Sequence, residues 1–243
     1  SFFGSMMTFI VVPWQMYQLT GSSAMVGYIY LAEFVPMVFL AFVGGALADY
    51  FDKRFLLRFT EFGQGITSAI LLGNSLLPNP QVWVLFLCVA IHAGLAAIQR
   101  PAFESFIQKI IPPDLMSAVM ALNSLRWSLG AIVGPALAGI VAVTLGPSVA
   151  YAFDLATFAG TIYAVYAISA VPSPDVAERP SWAGIKRAWK YAFSGQELVG
   201  TYFIDIAAMF FAMPQPLYPA LAVYFGAKYV GFFPAALAGG ALL

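Results

Sequence analysis

The sequence predicts an all-α polytopic membrane protein, and three observations carry that prediction. Apolar residues fill 61% of its 243 positions and charged residues only 9%, with a mean hydropathy of +0.85. A soluble domain carries roughly 25% charged residues, and a chain this poor in them cannot cover a water-facing surface. The apolar residues also gather into runs of about 20, the length a helix rising about 1.5 Å per residue needs to cross about 30 Å of hydrocarbon. Finally, the runs are apolar on all sides and longer than the alternating strands of about 10 residues that build membrane β-barrels.

The spans are expected, in order, at about 1–18, 23–48, 55–77, 81–101, 115–145, 148–171 and 198–225, with an eighth starting near 231. The first opens without a basic flank or an initiating Met, and the last stops at Leu243 without a polar cap, so a piece of a longer chain is expected. Connections 19–22, 78–80, 146–147 and 226–230 are short and nearly uncharged, whereas 49–54, 102–114 and 172–197 carry charge. The basic residues sort with them. Lys53, Arg54, Arg58, Arg100, Lys109, Arg179, Lys186, Arg187 and Lys190 fall on one side, Lys228 on the other, and Arg126 within span five. The positive-inside bias makes the basic side cytoplasmic and puts the N-terminus there, in a bacterial-type cytoplasmic membrane.

After span six, Val171-Pro172-Ser173-Pro174 leads into Trp182, Ile185, Trp189 and Phe193, spaced by three or four residues with Lys186, Arg187 and Lys190 between them. That pattern predicts an amphipathic helix on the inner membrane face, because aromatic residues at helical spacing have no use in a solvated tether. The implied division is a six-helix bundle over 1–171, a cytoplasmic linker over 172–197, and the start of a second bundle over 198–243. Gly21-Ser22-Ser23-Ala24-Met25-Val26-Gly27 after span one resembles Gly226-Ala227-Lys228-Tyr229-Val230-Gly231 after span seven, an offset of about 204 residues. Such a repeat fits carriers whose halves are related by an axis normal to the membrane, and it implies about 400 residues and twelve spans.

Two motifs are specific. On the turn after span two stands Gly45-Ala46-Leu47-Ala48-Asp49-Tyr50-Phe51-Asp52-Lys53-Arg54. Small residues let helix ends approach, and a carboxylate there can meet a basic group or a helix N-terminus. In span five, Gly130-Ala131-Ile132-Val133-Gly134-Pro135-Ala136-Leu137-Ala138-Gly139 sets three glycines on nearly one face around a bending proline. The first resembles motif A of the major facilitator superfamily, with Tyr50 in place of a usual Arg and Asp52 in place of a usual Gly. The second resembles motif C, the antiporter motif of exporters in that superfamily. Ala32-Glu33-Phe34-Val35-Pro36, Arg100-Pro101-Ala102, the Asp205 to Pro214 stretch and Leu217-Tyr218-Pro219-Ala220-Leu221 are similar to the enterobactin-exporter-like branch, close to macrolide-efflux proteins.

The resemblance spans essentially the whole chain and implies the major facilitator superfamily fold, with about seven to eight of twelve helices here. It implies a conformational latch at Gly45, Asp49, Lys53 and Arg54, with Arg100 as the ionic partner of Asp49. It also implies helix packing through Gly130, Gly134, Pro135 and Gly139. One departure matters: Ala90 stands where many drug:proton antiporters carry an Arg in span four, so coupling through that arginine is absent.

Ionisable groups in hydrocarbon cost several kcal/mol unless paired or hydrated. Glu33, about ten residues into span two, is expected to be the deepest carboxylate and a proton or cation site, or else a tie between helices. Asp205 is the second coupling candidate. Arg126 is expected to pair with an acid or to bind an anionic substrate, and Gln15 and Gln18 to meet substrate or water. Glu61 is expected to pair locally with Arg58, Asp154 to reach the outer interface or cap its helix, His92 to line the cavity or to pack through a hydrogen bond, and Cys88 to pack.

The single cysteine, Cys88, and the single histidine, His92, exclude an internal disulfide and paired-imidazole or thiolate zinc chemistry. A net charge of zero argues against nucleic acid as partner. Neither a nucleophile with an aligned base nor a phosphate loop is in view, so no enzyme, cofactor or metal is expected. The expected function is a proton-coupled exporter of a drug-like or siderophore-like amphiphile working by alternating access. Its partners are lipid, substrate and protons, and the full-length protein is expected to be a monomer. An importer or uniporter on the same fold, and a non-transporting scaffold, are the alternatives.

Overall fold

In the computed structural model the described residues are 1–167, 193–196, 199–201, 203–204, 207 and 214–240, the side chains of Phe42, Asp49, Lys109 and Lys228 excepted. Six long helices come first: α1 (Phe2–Thr20), α2 (Ser23–Tyr50), α3 (Lys53–Ser75), α4 (Val82–Ile110), α5 (Met116–Thr144) and α6 (Pro147–Ala167). Among the described residues, the helices with both ends described that follow are α7 (Tyr218–Phe225) and α8 (Phe232–Gly240). Among the described residues, four segments are long and apolar enough to cross a membrane: Ser23–Ala41, Val82–Gln108, Pro113–Thr144 and Pro147–Ala167. The fold is that of a polytopic all-α membrane protein. Helices α1 and α3 fall outside that group because polar residues interrupt their apolar character.

Local chemistry sets the helix ends. Gly21 closes α1 at φ 63°, where only glycine escapes a Cβ penalty, and its N–H donates to the Tyr17 carbonyl at 2.7 Å. Gly226 closes α7 with φ 124°, so both turns of the suspected repeat bend on a positive-φ glycine. Ser22 caps α2 by accepting from the Met25 N–H at 3.4 Å, and Asp52 caps α3 by accepting from the Phe55 N–H at 2.9 Å.

Two span ends differ from expectation. Span four does not stop at Pro101: α4 runs through it to Ile110, so much of the supposed connection 102–114 is helical. Proline also lies inside α1, α2 and α5, at Pro13, Pro36 and Pro135, without ending them. A proline costs one backbone hydrogen bond, and Ala102 and Phe106 recover stability by burying against Leu56 and Leu57 of α3. Span seven was expected to be continuous over 198–225. It is instead broken at Pro214, where a single 3-10 turn, Gln215–Leu217, precedes α7. The expected amphipathic helix over Trp182, Ile185 and Trp189 lies outside the described residues, as does Asp205.

Helix α2 packs most extensively on α4, α3 lies against α4 and α6, and α1 lies against α5 and α6. One apolar cluster, built on residues such as Val11, Met16, Leu71, Leu85 and Tyr151, fills the end of the bundle away from the basic turn. A smaller one, Ala48, Leu56, Leu57, Ala102, Phe106 and Val165, fills the basic end. Between them runs a buried polar layer on α1, α3 and α6.

Candidate functional site

At the basic turn, Lys53 is buried and its Nζ donates to the Ala48 carbonyl at 2.9 Å, pinning the start of α3 to the end of α2. Asp49 lies in the last turn of α2, and its side chain is outside the described part. Arg100 stands 3.6 Å from Glu104 one turn on, an exposed pair, with its guanidinium over the Trp127 ring at 5.6 Å. The glycine that permits close approach is the neighbour of the one expected. A Cβ on Gly44 would lie 2.8 Å from the Ala97 carbonyl oxygen, whereas one on Gly45 would meet open space.

The glycine stripe of α5 serves two partners. Gly130 and Gly134 admit Phe2 and Met6 of α1, and Gly139 meets the backbone of Gly231, just before α8. A Cβ on Gly231 would collide with the Pro135 carbonyl oxygen, so this contact is backbone on backbone.

Glu33 is half-buried on α2 and has no hydrogen-bond partner among the described residues. It is not the most buried carboxylate. Arg126 is exposed, with its guanidinium 5.1 Å from the Phe2 ring and 5.4 Å from the Phe103 ring, and no acid pairs with it among the described residues. Gln15 turns into the bundle and accepts from the Tyr151 hydroxyl at 2.7 Å, while Gln18 is exposed near the end of α1.

Sequence reasoning missed the most polar place in the molecule. Asp154 is fully buried about two turns into α6, away from the outer interface where it was expected. Its Oδ2 accepts from Thr8 Oγ1 of α1 and from Ser68 Oγ of α3, both at 2.7 Å. Glu61 is buried too. In place of the expected pairing with Arg58, its Oε1 accepts from Ser1 Oγ at 3.0 Å and Gln99 Nε2 at 2.7 Å, and Arg58 lies over the Tyr166 ring at 4.2 Å. His92 Nδ1 lies 3.1 Å from Thr67 Oγ1, and its ring meets Phe158 edge-on, the packing position of its two expected roles. The missed signal is the register of α3. Thr60, Glu61, Gln64, Thr67, Ser68 and Asn74 recur at helical spacing and are all buried, while Phe55, Phe59, Phe62, Ile66 and Ile70 on the other face are exposed. In lipid that polarity is inverted, polar side inward.

The comparisons with known proteins fit this geometry. Residues 1–224 match the family described as transmembrane secretion effector. The chain belongs to that family of the major facilitator superfamily. It is 24% identical over 234 residues to the enterobactin exporter EntS of Citrobacter koseri, covering 96% of this chain and 56% of the exporter. It is also 24% identical over 234 residues to the multidrug efflux pump Tap of Mycobacterium tuberculosis, covering 89% of this chain and 54% of the pump. The EntS of Salmonella choleraesuis is 25% identical over 239 residues, covering 96% and 57%. The chain thus spans about half the length of these curated relatives, all of them transporters.

Proposed function

We propose that the protein carrying this chain exports a drug-like or siderophore-like small molecule, driven by the proton gradient, by rocking two six-helix halves about a site near the midplane. The observation that carries this reading is the family match over residues 1–224, joined to relatives named as siderophore and multidrug exporters. The geometry supports it at two places. The bare contact of Gly139 with Gly231 provides a smooth seam between the six-helix bundle and the segment that follows. Arg126, flanked by two aromatic rings and unpaired with any described acid, suits the anionic end of an amphiphile.

In this reading the turn of Gly45, Asp49, Lys53 and Arg54 is the latch, with Arg100 as its partner from α4, and its side is cytoplasmic. Protonation of Glu33, with Asp205, tips the balance between inward-facing and outward-facing states. The test is transport by the intact protein in proteoliposomes under an imposed pH gradient, with ethidium and an iron-free catecholate siderophore as probes. Outward movement of either probe that collapses with the gradient is the expected result. Movement that ignores the gradient removes proton coupling, and an E33Q variant with unchanged rate and pH profile removes Glu33 from the mechanism.

A further inference from the structure

We propose that Asp154 is a second proton-carrying site of the transport cycle, loaded and emptied as α1 shifts against α3 and α6. The inference rests on the proton-driven reading above and adds a carboxylate to it. Three observations on the structure support it. Asp154 has no exposed surface, yet its Oδ1 has no hydrogen-bond partner in bonding geometry among the described residues, while its Oδ2 holds both the Thr8 and Ser68 hydroxyls. A neutral carboxylic acid can be divided this way, its carbonyl oxygen accepting twice and its other oxygen bearing a proton on the side of the Ser5 hydroxyl. No cation pairs with Asp154 among the described residues, and an unpaired buried carboxylate is the form that costs most in hydrocarbon.

The second observation is the bare wall facing Oδ1. Gly4 of α1 lies against it, and a Cβ there would fall 2.5 Å from Oδ1 and collide with Thr157 Oγ1. At Gly4 no side chain stands between the carboxyl group and the backbone of α1, with Ser5 and Thr8 on either side of that gap, so a small displacement of α1 opens or closes that side of the acid. The third observation is where α1 sits. Its Phe2 and Met6 fill the Gly130 and Gly134 positions of α5, and α5 in turn touches Gly231 through Gly139. A movement at the Gly139 and Gly231 seam therefore reaches Asp154 through one intervening helix, and the two hydroxyl donors, on α1 and α3, part when α1 moves.

The charge balance is simple. A proton from water adds to Oδ1 and gives the neutral acid. Its return to water leaves the carboxylate, held by the Thr8 and Ser68 hydroxyls, with no other bond made or broken. Among the described residues the titratable groups facing the site are Glu61 and, through Thr67, His92, together with Tyr151 one turn away on α6.

The test uses the intact transporter in liposomes with D154N, which keeps the size and the double acceptor, and with E61Q, E33Q and S68A alongside. Infrared difference spectra read the carbonyl stretch of a protonated carboxyl group as pH is raised. Gradient-driven ethidium transport and gradient-free ethidium counterflow are measured on the same vesicles. The expected result is that D154N loses one component of the band, which E61Q and E33Q both keep, and loses gradient-driven transport but keeps counterflow. If D154N is not recovered from membranes, S68A decides: it moves the pH at which the band disappears, and an unmoved band overturns the proposal. A band left unchanged by D154N, or reduced only in E61Q or E33Q, overturns it as well, as does gradient-driven transport with an unchanged pH profile in D154N. A wild-type protein that moves neither ethidium nor the catecholate siderophore against a gradient sinks the export reading instead, and the band then decides alone whether Asp154 holds a proton.

Discussion

Helices α2 and α3 follow one another with only Phe51 and Asp52 between them, and they meet the membrane in opposite ways. Helix α2 is apolar nearly all round and fits its partner α4 by shape. Gly44 lets its backbone touch Ala97, and an open apolar groove of about 540 Å³, lined by Tyr28, Val35, Pro36, Trp83 and Leu87 among others, runs along the pair. Helix α3 fits α6 and α4 by hydrogen bonding, with Ser68 on Asp154, Thr67 on His92 and Glu61 on Gln99. It turns a row of phenylalanines outward. In lipid, apolar surface gives no reason for two helices to associate, so contact must come from close packing or from polar groups that have nowhere else to bond. Two consecutive helices use one solution each.

The strongest way to break the contrast is to give α3 the polarity of a soluble helix. Phe62 is 61% exposed near the middle of α3. Phe62→Lys should cost about 3–4 kcal/mol of insertion, the difference between a lysine and a phenylalanine at a helix centre, and should lower the membrane-integrated fraction measured by carbonate extraction. Phe62→Leu should leave that fraction unchanged. If the lysine variant integrates like the wild type, the outward face of α3 is wet and its polarity is not inverted.

The packing half of the contrast sharpens with two neighbouring glycines. Gly44→Ala drives a methyl group into the Ala97 backbone, which has little room to retreat, and should destabilise by about 1–3 kcal/mol. Gly45→Ala meets nothing and should stay within about 0.5 kcal/mol of wild type. Thermal inactivation in detergent reads both. Equal effects would mean that α2 and α4 lie differently against one another.

These two glycines also show how far the sequence carried. Composition and run length sufficed for six of the helices, because the thickness of hydrocarbon fixes length regardless of partner. The proline in α4 misled, since burial of Phe106 beyond it outweighs one lost hydrogen bond. The motif gave the neighbourhood of the close contact but not which glycine makes it, because that depends on the rotation of α2 against a helix distant in sequence. The buried acids were misread for a related reason. Glu61 had Arg58 a turn away, and local pairing is the only kind that one helix can display. Thr8, Ser68 and Asp154 stand 60 and 86 residues apart along the chain, and only the inward polar stripe of α3 pointed toward their meeting.

The hydrogen-bonding half of the contrast is read by Ser68→Ala. It removes one of two donors from a buried carboxyl group and should cost about 1–3 kcal/mol, read as a lower midpoint of thermal inactivation. Thr8→Ala should do the same from the α1 side. Because both hydroxyls serve one oxygen, the double variant should not show the sum of the single effects. Strict additivity would mean that the two donors do not share Asp154.

The smallest expected effect lies in the join between the two helices. Family resemblance expects glycine at 52, and the structure explains how aspartate replaces it. The backbone there has φ −55°, which asks nothing of a glycine, and the aspartate oxygen takes the otherwise unpartnered Phe55 N–H at the first turn of α3. Asp52→Ala should therefore cost about 1 kcal/mol, whereas Asp52→Gly should cost only a few tenths, because a bare glycine leaves that amide open to water. Thermal inactivation would separate the two variants, and gradient-driven transport should survive both. Were glycine the worse of the two, residue 52 would owe its place to its charge beside Lys53 and Arg54, and the basic turn would have to be understood as an ionic arrangement rather than a helix start.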